Sequence, residues 1–206
     1  GLPAIRDFDD LRVIRKLVRY LASIQYWQDA DNGMWEENEE VHASSVGACV
    51  AGLRRIASYV KVEPELIEKG QETLNALLPR ESITKETDLA LLSLIWPLDA
   101  VTSEQRKAIL KNVEEKLLKE RGVLRYLGDV YYHRDGEAEW TMGLPWLAII
   151  YRQMGDLIRY RYHMQKTFSA MNVKGELPEL YFADSPEHNE NTPLGWSQAL
   201  YLVAVK

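Results

Sequence analysis

Three stretches of the chain bring carboxylates and aromatic rings together. The first reads Asp31-Asn32-Gly33-Met34-Trp35-Glu36-Glu37 and directly precedes a segment of small residues. An indole face can stack on the C–H face of a pyranose, and a carboxyl kept protonated in an apolar setting can protonate a glycosidic oxygen. Taken alone, this stretch reads better as a solvated acidic turn with a tucked-in Trp, because Glu39 and Glu40 continue the acidic run. The second is Arg125-Tyr126-Leu127-Gly128-Asp129-Val130-Tyr131-Tyr132, followed by Gly143-Leu144-Pro145-Trp146. Arginine offers a planar fork of donors suited to vicinal hydroxyls, although an Arg–Asp pair that pins the loop explains the same residues. The third, Gly175-Glu176-Leu177-Pro178-Glu179-Leu180-Tyr181, places Glu179 beside aromatic residues, and Trp196 follows. Hydrolysis with inversion takes two carboxyl groups roughly 6.5–9.5 Å apart, one acid and one base. Glu36 and Glu179 are the candidates. Three such loops, each before an apolar helix, belong at one end of a helical array, and their coincidence says more than any one of them.

Other chemistries lack their residues. His42, His133, His163 and His188 are scattered with no metal-ligand spacing, and read as surface or loop residues. There is no nucleophile elbow, phosphate loop or dinucleotide fingerprint, so no cofactor is expected. Cys49 and the Ser44-Ser45 pair read as close-packing helix residues.

The elements that must position these loops are helical almost throughout. Residues 9–28 carry Ile14, Leu17, Val18, Leu21 and Ile24 on one stripe, with Arg12, Arg15, Lys16 and Arg19 off it. Residues 43–60 are rich in Ala, Ser and Gly and suit close packing. Pro64 opens a helix that Pro79 stops, and the apolar run 85–96 reads as a buried helix ending at Pro97. Thr102 and Gln105 form a capping box for a helix to Lys119. Helices over 145–154, 157–171 and 194–205 follow, capped or opened by Pro145, Asp156 and Pro193. Polar-faced and apolar helices roughly alternate, and strand character is confined to pieces such as Val123–Leu127. The long connections are 29–42, 121–142 and 172–192. This pattern predicts an all-α bundle or α/α toroid in one domain, 1–206.

Composition narrows the partners. The chain has 206 residues, 46% hydrophobic and 27% charged, with no apolar run long enough to span a membrane. A net charge of −6 argues against a nucleic-acid surface. The single cysteine excludes an internal disulfide, and Gly1-Leu2-Pro3 lacks the pattern of a signal peptide. A soluble cytoplasmic protein is expected.

At the loops described above, the chain resembles glycoside hydrolase family 15, the glucoamylase group, and its relatives the phosphorylase kinase regulatory α and β subunits. The resembling stretches are Gly33–Glu37 with Ala43–Gly47, Arg125–Tyr132, Gly143–Trp146, and Leu177–Tyr181 with Pro193–Leu200. The resemblance implies an (α/α)6 toroid of the six-hairpin type, with about eight of twelve helices present, corresponding to the C-terminal two thirds of the family domain. It implies an inverting, exo-acting hydrolase that releases glucose from the non-reducing end of α-glucans. By position, Glu36 would be the general acid and Glu179 the general base. Glu37, Arg125, Trp35 and Trp146 would hold sugar, Trp196 would support the base from behind, and Asp129 would hold the Arg125 loop. His42–Gly47, Leu177–Tyr181 and Trp196–Leu202 look closer to the kinase regulatory subunits.

Three readings follow: an α-glucan hydrolase, a non-catalytic glucan-binding regulatory module, and a helical interaction protein whose loop carboxylates are solvated decoration. An incomplete toroid would expose inner apolar surface, which predicts a homo-oligomer.

Overall fold

A computed structural model describes residues 5–206. The Gly1-Leu2-Pro3 segment, on which the reading of no signal peptide rests, lies outside the described residues. Eight α-helices are present among them: α1 (Phe8–Ile24), α2 (Ala43–Ile56), α3 (Pro64–Leu77), α4 (Leu92–Ile95), α5 (Ser103–Lys116), α6 (Gly143–Gln153), α7 (Leu157–Ser169) and α8 (Gly195–Val205).

Local chemistry sets their ends. Asp7 accepts hydrogen bonds from the backbone N–H groups of Asp9 and Asp10 at the start of α1, and left-handed Gln25 closes it. The Thr102–Gln105 capping box forms at the start of α5, and Asp156 caps α7. Pro64 occupies the first turn of α3, where its missing N–H costs nothing.

The expected alternation becomes an inner and an outer row. Helix α2 packs on α4, α4 on α6 and α6 on α8, while α3, α5 and α7 each pack on the inner helix before them in sequence. Helix α6 is apolar all round, and every residue from Gly143 to Tyr151 is buried. Small residues let α2 approach its neighbours: a Cβ on Gly47 would collide with Leu94 Cδ2. On α1, Val18 is buried, but Leu17, assigned to the core stripe by spacing, is exposed. Phe8, Val13, Leu17 and Tyr20 of α1, and Leu202, Val203 and Val205 of α8, leave apolar surface open.

Two expectations are corrected. The run 85–96 is not one helix. Asp88 is extended and caps a 3-10 turn (Leu89–Leu91) through the Ala90 N–H, and only one α-helical turn follows. Its backbone also pairs with Tyr126 in an antiparallel bridge, which helix geometry would forbid. Residues 123–127 likewise form no strand. The two strands are β1 (Glu139–Trp140) and β2 (Leu180–Tyr181), antiparallel, with Trp140 opposite Leu180. Single bridges join Val123 to Trp140 and Asp31 to Glu40. These ties stitch together the connections that precede the inner helices.

Packing around α2 makes a stability test. Gly47→Ala drives a methyl into Leu94 and should lower stability by about 1–3 kcal/mol. Gly52→Ala, where nothing lies within 4 Å, should raise it by about 0.5–1 kcal/mol. Urea unfolding of both variants checks the contrast.

Candidate functional site

The connections before α2, α6 and α8, with the start of α8, line a cleft of about 460 Å³, and the connection before α4 is tied to them from behind through Lys85 and Asp88. Trp35, Glu36, Glu37, Arg125, Glu179 and Trp196 all line it. Tyr131, Trp140, Met34, Met142 and Leu194 complete the wall.

The first loop is closed by its own polar groups. Its Asp31–Glu40 bridge pairs both backbones, Asp31 accepts the Gly33 N–H, and the Asn32 amide donates to the Glu37 carbonyl at 2.7 Å. Gly33, at φ +65°, turns the chain where a Cβ would meet the His42 ring at 2.9 Å. Glu36 is also left-handed, at φ +56°, an uncommon conformation for a side chain of its type. Its carboxylate is exposed and makes no hydrogen bond or ion pair among the described residues.

Glu37 is held very differently. Lys85 Nζ donates to Oε2 at 2.9 Å and Arg125 donates to Oε1 at 2.8 Å. Burial pushes its carboxyl up, but hydrogen bonds from Tyr126 and Lys85 and the charges of Lys85 and Arg125 outweigh burial and hold it below the ordinary glutamate range. Arg125 also forms a fork with Asp129, with both contacts at 2.6 Å. Its guanidinium lies 4.8 Å from the Trp140 ring centre, 5.1 Å from Tyr131 and 5.3 Å from Trp35. Asp129 is fully buried and pins the loop from below.

The third loop delivers Glu179. Its backbone N–H bonds to the Asn191 carbonyl, and its own carbonyl accepts from Thr141 at the end of β1. The Asn189 and Asn191 amides donate to its Oε2 at 2.5 and 2.7 Å. Thr141 donates to the Pro178 carbonyl and lies 2.9 Å from Ser197 on α8. Glu179 is thus held from β1, its own loop and α8.

Trp35 and Trp196 approach at 6.2 Å between ring centres. Trp196 lines the cleft, as Glu179 does. Trp146 does not reach the cleft surface: it is buried, donates to the Trp96 carbonyl, and touches Trp196 from the core side. Residues missed from the sequence are Lys85, Asp88, Trp140, Asn189 and Asn191. The signal for the first two was a lysine and an aspartate beginning an otherwise apolar run.

Of the histidines expected on the surface or in loops, His42 does end a connection, just before α2, whereas His163 is corrected to a buried helical position on α7. Both are buried against a carboxylate: His42 beside Glu81 and His163 bonded to Glu114 at 2.9 Å. The Glu81 hydrogen bond raises His42 to about 9, overcoming burial. Among the described residues no group of three His, Cys, Asp or Glu is placed to hold a metal ion. No helix there is long and apolar enough to cross a membrane. A second cavity, about 510 Å³, lies between α5, α6 and α7 and holds none of the candidate residues. Its Glu114 is already engaged by Tyr151, Arg159 and His163.

No family model matches the chain. In sequence it is similar to phosphorylase b kinase regulatory alpha subunits. It is 28% identical to the probable subunit of Caenorhabditis elegans over 98% of this chain and 21% of that protein. It is 28% identical to the mouse liver isoform over 99% of this chain and 21% of that protein. A Takifugu rubripes liver isoform is 32% identical over 64% of this chain and 12% of that protein. The chain therefore spans about a fifth of the length of the relatives it matches end to end. In structure it is similar to a wild-type glycosidase, with a TM-score of 0.74 and 21% identity over 97% of this chain and 60% of that one. It is also similar to a glycoside hydrolase family 63 mannosylglycerate hydrolase from Thermus thermophilus in complex with glucose, with a TM-score of 0.56 and 15% identity over 97% of this chain and 54% of that one. The fold is the helical glycosidase kind, and the sequence relatives are kinase regulatory subunits. Neither comparison singles out glycoside hydrolase family 15.

The charge geometry yields two stability predictions. Arg125→Met leaves Asp129 buried without its cation, with only the Tyr131 N–H still donating to it, and should cost about 3–5 kcal/mol, most of it recovered in Arg125→Met/Asp129→Leu, as read by urea unfolding. The His42 contribution has a definite sign. Raised from 6.5 to about 9 on folding, it is complete below pH 6.5 and lost as pH rises through 9. Stability should fall over that window, and fall less in His42→Gln.

Proposed function

We propose that the cleft binds an α-glucan chain and that the domain acts as a non-catalytic regulatory module. We further infer that its helices form part of a six-hairpin toroid, about eight helices of twelve, working in a cytoplasmic setting beside protein partners. The observation that carries the binding reading is the pairing of Trp35 and Trp196 with a charge-anchored arginine in one open cleft. Indole faces suit the C–H face of a pyranose, and the polar groups around them suit its hydroxyls. The regulatory part is supported by the kinase regulatory subunits among the sequence relatives. It is supported too by Glu36, which stands in solvent without the apolar enclosure that would keep an acid protonated.

One observation favours a second reading, inverting hydrolysis of the glucoamylase type. Glu36 and Glu179 line the same cleft, so an acid and a base are both present. A single experiment separates the readings: calorimetric titration with maltooligosaccharides, with proton NMR of the anomeric signals on the same samples.

The regulatory reading predicts saturable binding, weakened about tenfold or more by Trp35→Ala, unchanged within about threefold by Glu36→Gln, and no glucose released. β-Glucose that appears first and is abolished by Glu179→Gln would establish the hydrolase instead. Absence of binding at ligand concentrations up to about 10 mM would overturn both.

A further inference from the structure

We propose that Asp88, buried behind the cleft wall, is a positioning residue that fixes the ring of Trp35 for stacking against a sugar. The inference rests on the glucan-binding reading and goes one step deeper into the same site. Asp88 is 0% exposed and lies outside the cleft lining. Its Oδ1 accepts the Trp35 indole N–H at 2.8 Å and the Ala90 backbone N–H at 2.7 Å. The first bond ties a loop side chain to the start of the inner-row segment that carries α4. An indole has one polar handle, its N–H, and what that handle bonds to decides which way the ring can turn. The Trp196 ring and the Arg125 guanidinium also approach Trp35, and both line the cleft. Asp88 supplies the hydrogen bond to the ring from the core side.

The charges around it give the contact a signature. Lys85 Nζ lies 3.8 Å from Asp88 Oδ2 but 2.9 Å from Glu37, and Oδ2 has no hydrogen-bond partner. Arg125 and Lys85 match Glu37 and Asp129, which leaves Asp88 as the unmatched acid. Glu81 faces it as a second carboxylate, itself engaged by Ser44 and His42. Burial first, and the charge of Glu81 second, push the Asp88 carboxyl up to about 7. Its proton is thus exchanged near neutrality, and the acceptor strength of Oδ1 changes with it.

The test combines ¹⁵N-indole NMR with maltoheptaose calorimetry on the wild type, Asp88→Asn, Asp88→Leu, Trp35→Phe and the double variant Asp88→Leu/Trp35→Phe. The Trp35 N–H resonance, assigned by its loss in Trp35→Phe, should move with a midpoint near pH 7 and stand still in Asp88→Asn. Affinity should drop about tenfold or more in Asp88→Leu, hold within about threefold in Asp88→Asn, and be no weaker in the double variant than in Trp35→Phe. An Asp88 that only caps the 3-10 turn would give losses that add, and a Trp35 resonance indifferent to Asp88→Asn. Either result overturns the proposal while wild-type binding stands. A wild type that binds no maltoheptaose overturns the glucan reading, and the stacking role with it. The resonance titration does not depend on Asp88→Leu folding.

Discussion

The carboxylate of Glu37 is shared between two cations that arrive on different loops, and the architecture of the cleft follows from that sharing. Lys85 comes from the connection before α4 and Arg125 from the connection before α6, while Glu37 sits on the connection before α2. The loop of Glu37 is thereby locked to two segments that the Asp88–Tyr126 bridge already pairs with each other. A half-buried carboxylate shared in this way is favourable only because both oxygens are satisfied and Asp129 absorbs the rest of the Arg125 fork. Take away that fork and the guanidinium no longer has a fixed place among Trp35, Tyr131 and Trp140.

Against this rigid centre, the two other carboxylates of the cleft are treated unequally. Glu179 is held by two amides and by backbone bonds with Thr141 and Asn191. Glu36 sits next to the most heavily anchored residue of its loop, yet its own side chain is unattached and its backbone is left-handed. Nothing in the packing of the loop requires a glutamate there.

The sequence was most legible where a residue's role is local. Caps at Thr102 and Asp156, the proline at the start of α3, and the alternation of inner and outer helices follow from short-range rules, and the structure has them. The three aromatic-and-acid loops were legible as well, because each carries its own composition. Roles set by distant partners were not. Lys85 and Asp88 looked like the first turn of a buried helix, since nothing nearby in the chain reveals that Glu37 and Trp35 lie across from them. The burial of His42 and His163 was not legible because their carboxylates, Glu81 and Glu114, are dozens of positions away. Trp146 shares its residue type and neighbourhood with the cleft tryptophans, and only its bond to the Trp96 carbonyl shows that it belongs to the core.

The central claim is that this end of the inner row is a glucan surface made by Trp35 and Trp196. Indole resonances followed during titration with maltoheptaose test it most directly, because the six tryptophans report on different parts of the molecule. The account predicts saturable shifts of Trp35 and Trp196 with a common midpoint, and an unmoved Trp27, which packs away from the cleft against Tyr26 and Lys69. Shifts confined to Trp27, or none at all, would contradict it.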